Sequence, residues 1–441
     1  MSQTVLSKSR TTNPTYERWR IRIFAITWIA YAGFYFTRQA FSVAKLGILE
    51  DPILNTHLTK SVMANLDAAY LAAYAVGQFV WGQVSDRFGP RVVVLGGLAI
   101  SAIATMFMGL LPAVVFLLPL MIVQGLAQST GWSGTLNTMA QFFSIGERGR
   151  ILGLWSTSYA FGGLVAAPVV GWFTYDVFGS WRAAFFSGAG IVAIVFVLFF
   201  MFQRNRPEDV GLPPIEEYHS VEEIAELDHS EEAEAVAEPT PSWRESLAVV
   251  LSDSMVRTLG AAYFLLKPAR YAILLWGPVI VAEQLHDSDK FTAVTVPVAF
   301  GIAGIIAPIL LGRVSDRVFK ARRVPACVIS LAVLVAVLAL FAPLTATGNV
   351  WVMVAVLGMI GLTIYGADAM ISCIAAVDFG TSKHAGTATG IINGCGSVGA
   401  ILGGLLPGYL STSALFYGFA GAAFIALVLL VPHWNRMPAA D

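Results

Sequence analysis

Two arginines lie in the middle of apolar stretches. Arg38 falls in "YAGFYFTRQAF", and Arg270 falls in "FLLKPARYAILLWGP", 232 residues further on. Arginine keeps its charge in proteins, and at the centre of a membrane helix it costs about 2.5–3.5 kcal/mol on insertion scales. A guanidinium group presents a planar fork of donors that matches the oxygens of a phosphate. We therefore expect both arginines to face one cavity and to bind a doubly charged oxyanion such as phosphate.

The alternative is that each arginine pairs with an acid inside the membrane. Asp67 and Asp368 lie in other apolar segments and are available for such pairs. Asp368 could neutralise Lys267 or Arg270, or it could bind the ammonium group of a zwitterionic substrate such as an aminoalkylphosphonate. Asp67 could serve in proton coupling, in charge pairing or in structure. Intramembrane carboxylates are functional candidates in general, and the sequence leaves these interpretations open.

The composition identifies the class of protein that carries these charges. The 441 residues are 56% hydrophobic and only 12% charged, with a mean hydropathy of +0.70. Soluble domains are roughly 45–50% apolar, so these values predict a membrane protein. The net charge of −1 and the lack of basic tracts argue against a nucleic-acid partner. The three cysteines show no CxxC spacing, and there is no nucleophile elbow, P-loop or metal-ligand cluster, so neither an enzyme nor a cofactor is predicted.

Twelve apolar segments are long enough to cross a membrane, since a helix needs about 20 residues for a hydrocarbon core of about 30 Å. They lie near residues 22–48, 62–84, 92–111, 114–141, 150–174, 182–203, 256–282, 292–312, 325–345, 350–377, 384–409 and 413–432. Cytoplasmic loops are enriched in basic residues. The arginines cluster on one side of these segments, at Arg87, Arg91, Arg148, Arg150, Arg204, Arg206, Arg313 and Arg323. Both termini are therefore predicted to be cytoplasmic.

The chain contains an internal repeat. "WGQVSDRFGPR" and "LGRVSDRVFKARR" share four residues, each pair 230 positions apart: Gly82/Gly312, Ser85/Ser315, Asp86/Asp316 and Arg87/Arg317. In the fifth and eleventh segments, four glycines recur at an offset of 237: Gly149/Gly386, Gly153/Gly390, Gly162/Gly399 and Gly171/Gly408. Such symmetry is typical of secondary transporters. It predicts an all-α fold of twelve transmembrane helices in two pseudo-symmetric six-helix bundles.

The repeated residues also have predicted roles. The glycines of both motifs should permit close helix packing. The acid-base pairs at the cytoplasmic edge, Asp86 with Arg87 and Asp316 with Arg317, should link helices in one conformation and release them in another. A polar, glutamate-rich segment separates the two halves and reads as a partly disordered cytoplasmic linker. The domains are therefore residues 1–205, the linker 206–255 and residues 256–441.

The sequence resembles a known family at several of these places. "YAGFYFTRQAF", "RYAILLWGP", "GLPPIEEY" and "KHAGTATG" look like segments of the organophosphate:phosphate antiporters of the major facilitator superfamily. That family includes bacterial glycerol-3-phosphate and hexose-phosphate carriers and eukaryotic sugar-phosphate exchangers. The resemblance implies that Arg38 and Arg270 hold the phosphoryl group, and that two halves rock to alternate access.

Four positions depart from the glycerol-3-phosphate carrier pattern. Gln39 and Gln78 replace lysines, Tyr159 replaces a histidine and Leu275 replaces an aspartate, so the pocket is less basic. The predicted substrate-binding residues are Arg38, Arg270, Tyr35, Gln78, Tyr159, Lys267, Tyr271 and Asp368. The predicted gating and coupling residues are Asp67, Asp86, Arg87, Asp316 and Arg317.

These observations predict a monomeric transporter in a bacterial plasma membrane. Its substrate is expected to be an organophosphate or phosphonate, exchanged for inorganic phosphate. Two other functions stay open: a sugar-phosphate sensor that transports little, and a proton-coupled importer of carboxylates.

Overall fold

A computed structural model describes residues 13–218, 250–320, 322–379 and 385–435. In these ranges the regular structure is entirely helical. Most of the predicted linker, residues 219–249, lies outside the described ranges. The N-terminal helices are α1 (Pro14–Glu50), α2 (Lys60–Phe88), α3 (Pro90–Leu110), α4 (Val114–Phe142), α5 (Ile145–Trp155), α6 (Thr157–Gly171) and α7 (Arg182–Phe202). The C-terminal helices are α8 (Ser254–Gln284), α9 (Lys290–Thr295), α10 (Val298–Val318), α11 (Arg323–Ala339), α12 (Val350–Phe379), α13 (Ala385–Leu405) and α14 (Thr412–Leu430).

Capping residues fix where the site-bearing helices begin. The side chain of Asn13 accepts a hydrogen bond from the backbone N–H of Thr15 at 3.0 Å, and Pro14 occupies the first turn of α1. Asp253 accepts from Met255 N–H at 2.7 Å at the start of α8. A capping side chain satisfies a backbone donor that has no partner within the helix. The first helix of each half therefore starts at a defined residue.

Nine helical segments among the described residues are long and apolar enough to cross a membrane. The other three predicted spans correspond to α1 and α2, which carry several charged residues, and to α11, which has only 17 residues. The count of twelve therefore stays a prediction. The fifth predicted span is divided into α5, α6 and a π-helical turn, Trp172–Val177. The eighth is divided at Pro297, whose ring nitrogen has no hydrogen to donate.

The helices of the two halves pack in the same order. In the N-terminal half, α1 packs on α6 and α7, α4 packs on α2 and α3, and α3 packs on α7. In the C-terminal half, α8 packs on α13 and α14, α12 packs on α10 and α11, and α11 packs on α14. Between the halves, α2 meets α13, α6 meets α9 and α10, and α1 meets α8. This arrangement supports the predicted division into residues 1–205 and 256–441, which stays a prediction.

Two of the repeated glycine pairs make equivalent close contacts. A Cβ on Gly162 would lie 2.9 Å from the carbonyl oxygen of Ala32 in α1, and one on Gly399 would lie 2.3 Å from that of Phe264 in α8. Gly171 and Gly408 pack across the two halves, against Val294 and Ala64 respectively. These glycines allow helix backbones to approach closely, as the sequence predicts.

Other repeated glycines have no packing role, so the prediction of close contact is wrong for them. A Cβ on Gly82, Gly312, Gly153 or Gly390 would meet nothing within 4 Å. Glycine fits equally well against a neighbouring helix or beside an open space, and sequence symmetry does not distinguish the two. For Gly149 and Gly386 the structure describes the helical backbone alone, so the packing predicted for this pair stays a prediction.

Candidate functional site

A cavity of about 540 Å³ lies between the two halves. It is lined by residues of α1, α2, α4 and α6 from the first half and of α8, α12 and α13 from the second. All eight predicted substrate-binding residues are among them: Arg38, Arg270, Tyr35, Gln78, Tyr159, Lys267, Tyr271 and Asp368. The structure brings these residues to one place, and their roles stay predictions.

Arg38 is held by neutral partners. Its Nε donates to Gln128 Oε1 at 3.0 Å, and its guanidinium carbon lies 4.5 Å from the ring centre of Tyr35 and 4.9 Å from that of Tyr74. No acid lies within ion-pair distance of Arg38 among the residues that the structure describes. Aromatic faces attract a cation without neutralising it. The positive charge of Arg38 therefore remains available to a ligand in the cavity.

Gln128 is itself fixed by a buried network. Its Oε1 also accepts from the Tyr70 hydroxyl at 2.6 Å, and its Nε2 donates to Thr37 Oγ1 at 3.1 Å. Thr37 in turn shares a hydrogen bond of 2.9 Å with Ser101. The network connects α1, α2, α3 and α4, so the orientation of the Arg38 guanidinium is set by the packing of these four helices.

Arg270 has a different environment, because it shares an acid with Lys267. Asp368 Oδ2 lies 3.2 Å from Arg270 Nη1, and Asp368 Oδ1 lies 2.9 Å from Lys267 Nζ. The alternative of an internal acid partner therefore holds for Arg270 and fails for Arg38. The aromatic ring under Arg270 is Tyr365, 4.4 Å away, rather than the adjacent Tyr271.

The charges in the cavity do not cancel. Among the described residues that line it, Arg38, Lys267 and Arg270 face one carboxylate, Asp368, which leaves two positive charges when all groups are ionised. The side chains of Lys267, Arg270 and Asp368 are 14–17% exposed. Charged hydrogen bonds are short and strong in such surroundings, and a phosphate dianion would balance the excess. The site is thus suited to a doubly charged oxyanion.

A smaller cavity of about 50 Å³ adjoins Arg270 on the side of α6 and α10. Tyr35, Tyr159 and Arg270 line both cavities, while Gln39 and Tyr365 line the smaller one. These three shared residues therefore form the boundary between the two spaces.

Asp67 lies outside the central cavity, in contact with Lys45. The two form an ion pair, with Lys45 fully buried and the Asp67 side chain 3% exposed. Lys45 Nζ also donates to the carbonyl oxygen of Leu275 at 3.0 Å and lies 3.9 Å from the ring centre of Trp276. This junction joins α1 and α2 to α8, so Asp67 is part of a contact between the halves.

Two ion pairs cross between the halves at the end of the bundle opposite the predicted cytoplasmic side. Lys60 at the start of α2 pairs with Glu283 at the end of α8, and Lys290 at the start of α9 pairs with Glu50 at the end of α1. Lys60 and Lys290 are 230 residues apart, and Glu50 and Glu283 are 233 apart, so the pairs are related by the internal repeat. Together with the Lys45 junction they close this end.

The predicted cytoplasmic end is open. A cavity of about 960 Å³ separates α1, α5 and α6 from α10 there, and it reaches Tyr159. The repeated acids bind other helices: Asp86 accepts from Asn137 at 2.7 Å, and Asp316 pairs with Arg323 at 2.6 Å. Asp86 and Asp316 thus contact residues other than Arg87 and Arg317 in this conformation, and the switching role of these four residues stays a prediction. In the predicted orientation this is an inward-facing conformation.

Sequence reasoning missed several residues of the site. Gln128 is the second glutamine of "QGLAQST", and nothing in that stretch predicts that its side chain reaches α1. Tyr263, Trp132, Asn393 and Ser397 also line the cavity. Each is a common residue in a membrane helix, and only its orientation in the bundle makes it part of the site.

Comparison with known proteins agrees with this architecture. The Major Facilitator Superfamily profile matches residues 27–377. A solved bacterial homologue of the human lysosomal transporter Spinster, in an inward-facing and unoccupied conformation, shares the fold with a TM-score of 0.67 at 14% identity, covering 94% of this chain and 95% of its own. The chain belongs to the Major Facilitator Superfamily, so it is an integral membrane transporter and not an enzyme.

Its relatives confirm the resemblance to organophosphate antiporters. A glycerol-3-phosphate transporter of Bacillus subtilis is 32% identical, covering 97% of this chain and 95% of the relative. A probable hexose phosphate transport protein of Chlamydia trachomatis is 31% identical, covering 95% and 92%. The glucose-6-phosphate exchanger SLC37A2 of Xenopus tropicalis is 30% identical, covering 84% and 80%. The family and its bacterial members agree with an inner-membrane location.

Proposed function

We propose that this protein exchanges an organophosphate for inorganic phosphate by alternating access, with Arg38 and Arg270 binding the phosphoryl group. The similarity to carriers named for phosphate esters supports transport of a phosphate ester. The observation that carries the finer proposal is the pair of arginines in one cavity, of which Arg38 has no acid partner among the described residues.

The charges of the site suggest why loaded and empty carriers behave differently. In the empty cavity two uncompensated positive charges oppose the approach of the two halves. A phosphate dianion between Arg38 and Arg270 removes that repulsion and contributes charged hydrogen bonds to both halves. The halves then close over the ligand, while the ion pairs at the opposite end separate. A carrier that moves easily only when loaded exchanges one phosphate compound for another.

The role of Asp368 follows from its contacts. It is the only acid among the described residues that line the central cavity, and both of its oxygens face cations. A substrate ammonium would have to compete with Lys267 and Arg270 for the same carboxylate. We therefore propose that Asp368 sets the net charge of the site, and that an aminoalkylphosphonate is a poorer ligand than a phosphate ester.

Phosphate counterflow tests the function. Purified protein is reconstituted in vesicles preloaded with inorganic phosphate, and uptake of labelled phosphate is followed. Wild-type protein should exchange, and Arg38→Lys and Arg270→Lys should lower the apparent affinity for phosphate about 10- to 150-fold, as expected for lost hydrogen bonds to a charged group worth about 1.5–3 kcal/mol. Arg257→Lys is the matched control, because Arg257 is an exposed residue of the same helix as Arg270 and does not line the cavity.

The other functions give different results in this assay. A sensor would bind phosphate esters, as measured by thermal stabilisation, while wild-type vesicles show almost no exchange. A carboxylate importer would take up its substrate with a proton gradient and would not be inhibited by phosphate. Either result with folded protein would overturn the antiport proposal.

A further inference from the structure

One face of α13 presents space and polar groups to the central cavity. Gly390, Asn393, Gly394 and Ser397 all line it, and their spacing of three and four residues places them on the same side of a helix. A Cβ on Gly390 or Gly394 would meet nothing within 4 Å. These two glycines are therefore not required for helix packing. Because they lack side chains, they enlarge the cavity.

Other glycines hold α13 against the helix that carries the cations. A Cβ on Gly396 would lie 2.8 Å from the ring of Tyr263, and one on Gly403 would lie 2.5 Å from the carbonyl oxygen of Pro268. Tyr263 and Pro268 flank Lys267 in α8. The polar face of α13 is thus fixed close to the cationic part of the site.

Asn393 supplies both a donor and an acceptor. Its side chain is exposed to the cavity, and its amide group makes no hydrogen bond to the part of the chain that the structure describes. Ser397 donates to the backbone oxygen of Asn393 at 3.0 Å, so its hydroxyl oxygen remains free to accept. An amide that can donate and accept, next to a free hydroxyl oxygen, matches the hydroxyl groups of a neutral ligand.

We propose that this face of α13 binds the organic part of the substrate, a neutral hydroxylated chain or ring. The proposal rests on the proposed function, because the phosphoryl group must first be held by the arginines. Asn393 and Ser397 recognise hydroxyl groups, while Gly390 and Gly394 set the size that fits. Inorganic phosphate has no organic part and does not need this subsite, so specificity and phosphate exchange are separable.

The test compares ligands that share a phosphate and differ in the rest. Exchange of internal phosphate is measured against external phosphate, glycerol 3-phosphate, propyl phosphate and glucose 6-phosphate. Asn393→Leu should abolish the preference for glycerol 3-phosphate over propyl phosphate, which has the same carbon chain without hydroxyls. Gly394→Leu should reduce exchange of glucose 6-phosphate more than tenfold, with Gly394→Ala intermediate. Phosphate self-exchange should fall less in each variant than exchange of the ester that the variant affects, because phosphate has no organic part to meet this face.

Gly418→Leu is the control for a leucine placed in a transmembrane helix. Gly418 is exposed on α14, where a Cβ would meet nothing within 4 Å. An equal loss for all four ligands in the Asn393 and Gly394 variants would overturn the subsite and indicate a structural role. Unchanged ligand preferences would overturn it as well.

Failure of the proposed function gives a separate result. If wild-type vesicles show no phosphate self-exchange, antiport fails, and the subsite is then tested by binding alone. Thermal stabilisation by glycerol 3-phosphate should exceed that by propyl phosphate in wild-type protein and should equal it in Asn393→Leu. Equal stabilisation of the wild type by both esters would overturn the subsite.

Discussion

Arg270 and Asp368 form an ion pair between α8 and α12, with Nη1 and Oδ2 3.2 Å apart. Arg38, at the corresponding place in the other half, has a glutamine where Arg270 has an acid. The repeat therefore produces two arginines at corresponding places in the two halves with unequal surroundings. One uncompensated positive charge is that of Arg38, and the other belongs to the cluster of Lys267, Arg270 and Asp368. Several measurable consequences follow from this asymmetry.

Replacing the neutral partner of Arg38 by an acid should weaken phosphate binding. Gln128→Glu would place a carboxylate where the amide oxygen now lies, 3.0 Å from Arg38 Nε. The new ion pair would compete with the ligand, so we expect the apparent phosphate affinity to fall about tenfold or more, a difference of about 1.4 kcal/mol. Competition in the counterflow assay measures this.

The control for that substitution lies one turn earlier on α4. Gln124 is buried and donates to Thr105 at 3.1 Å, away from the cavity. Gln124→Glu should lower stability without a selective effect on phosphate affinity. Similar affinity losses in both variants would contradict a specific role for Gln128.

Removing Asp368 should destabilise the protein by leaving two neighbouring cations unpaired. Asp368→Asn is expected to lower the melting temperature, because Lys267 and Arg270 then repel each other in a partly buried site. The double substitution Lys267→Met/Asp368→Asn removes one charge of each sign and should recover most of the loss. Thermal unfolding of the purified variants measures both effects, and no recovery in the double variant would argue against charge pairing.

Breaking the Lys45–Asp67 ion pair should destabilise the protein more than breaking the ion pairs of Asp368 in the cavity. Lys45 is fully buried at a junction of α1, α2 and α8, whereas Asp368 borders a cavity that water can enter. Breaking a buried pair costs about 3–5 kcal/mol, and water in a cavity reduces that cost. Asp67→Asn should therefore lower the melting temperature more than Asp368→Asn does. The opposite order in the same thermal assay would contradict this explanation.

The ion pairs that close one end of the bundle should stabilise the observed conformation only slightly. Lys60 and Glu283 are 43% and 32% exposed, and exposed pairs contribute about 0.2–1 kcal/mol. Lys60→Glu should therefore slow phosphate exchange only a few-fold, and high salt should reduce the difference because exposed charges are screened. The double variant Lys60→Glu/Glu283→Lys swaps the two charges, so the ion pair can form again and the rate of phosphate exchange should be restored.

The pair formed by Lys290 and Glu50 provides the comparison, since it is the symmetry-related contact. Lys290→Glu should have an effect of the same size, and the two effects should add. If the double variant Lys60→Glu/Glu283→Lys still exchanges phosphate slowly, Lys60 acts through a residue other than Glu283.

The sequence by itself determined the class of protein, the repeat and the pair of arginines. Apolar length, basic loops and offsets of 230 to 237 residues are properties of the linear chain, so they need no knowledge of packing. The same holds for the motifs around Arg38 and Arg270, which identified the family.

Only the tertiary structure decided which groups meet. The pairing of Asp368 with Lys267 and Arg270, of Asp67 with Lys45, and of Arg270 with Tyr365 each joins residues that are 22 to 101 positions apart. The rotation of each helix and the angles at which helices cross determine these contacts. For the same reason the sequence could not distinguish Gly399, which packs against α8, from Gly390, which borders an open cavity. Glycine lacks a side chain in both places, and only the neighbouring helices decide whether that absence provides contact or space.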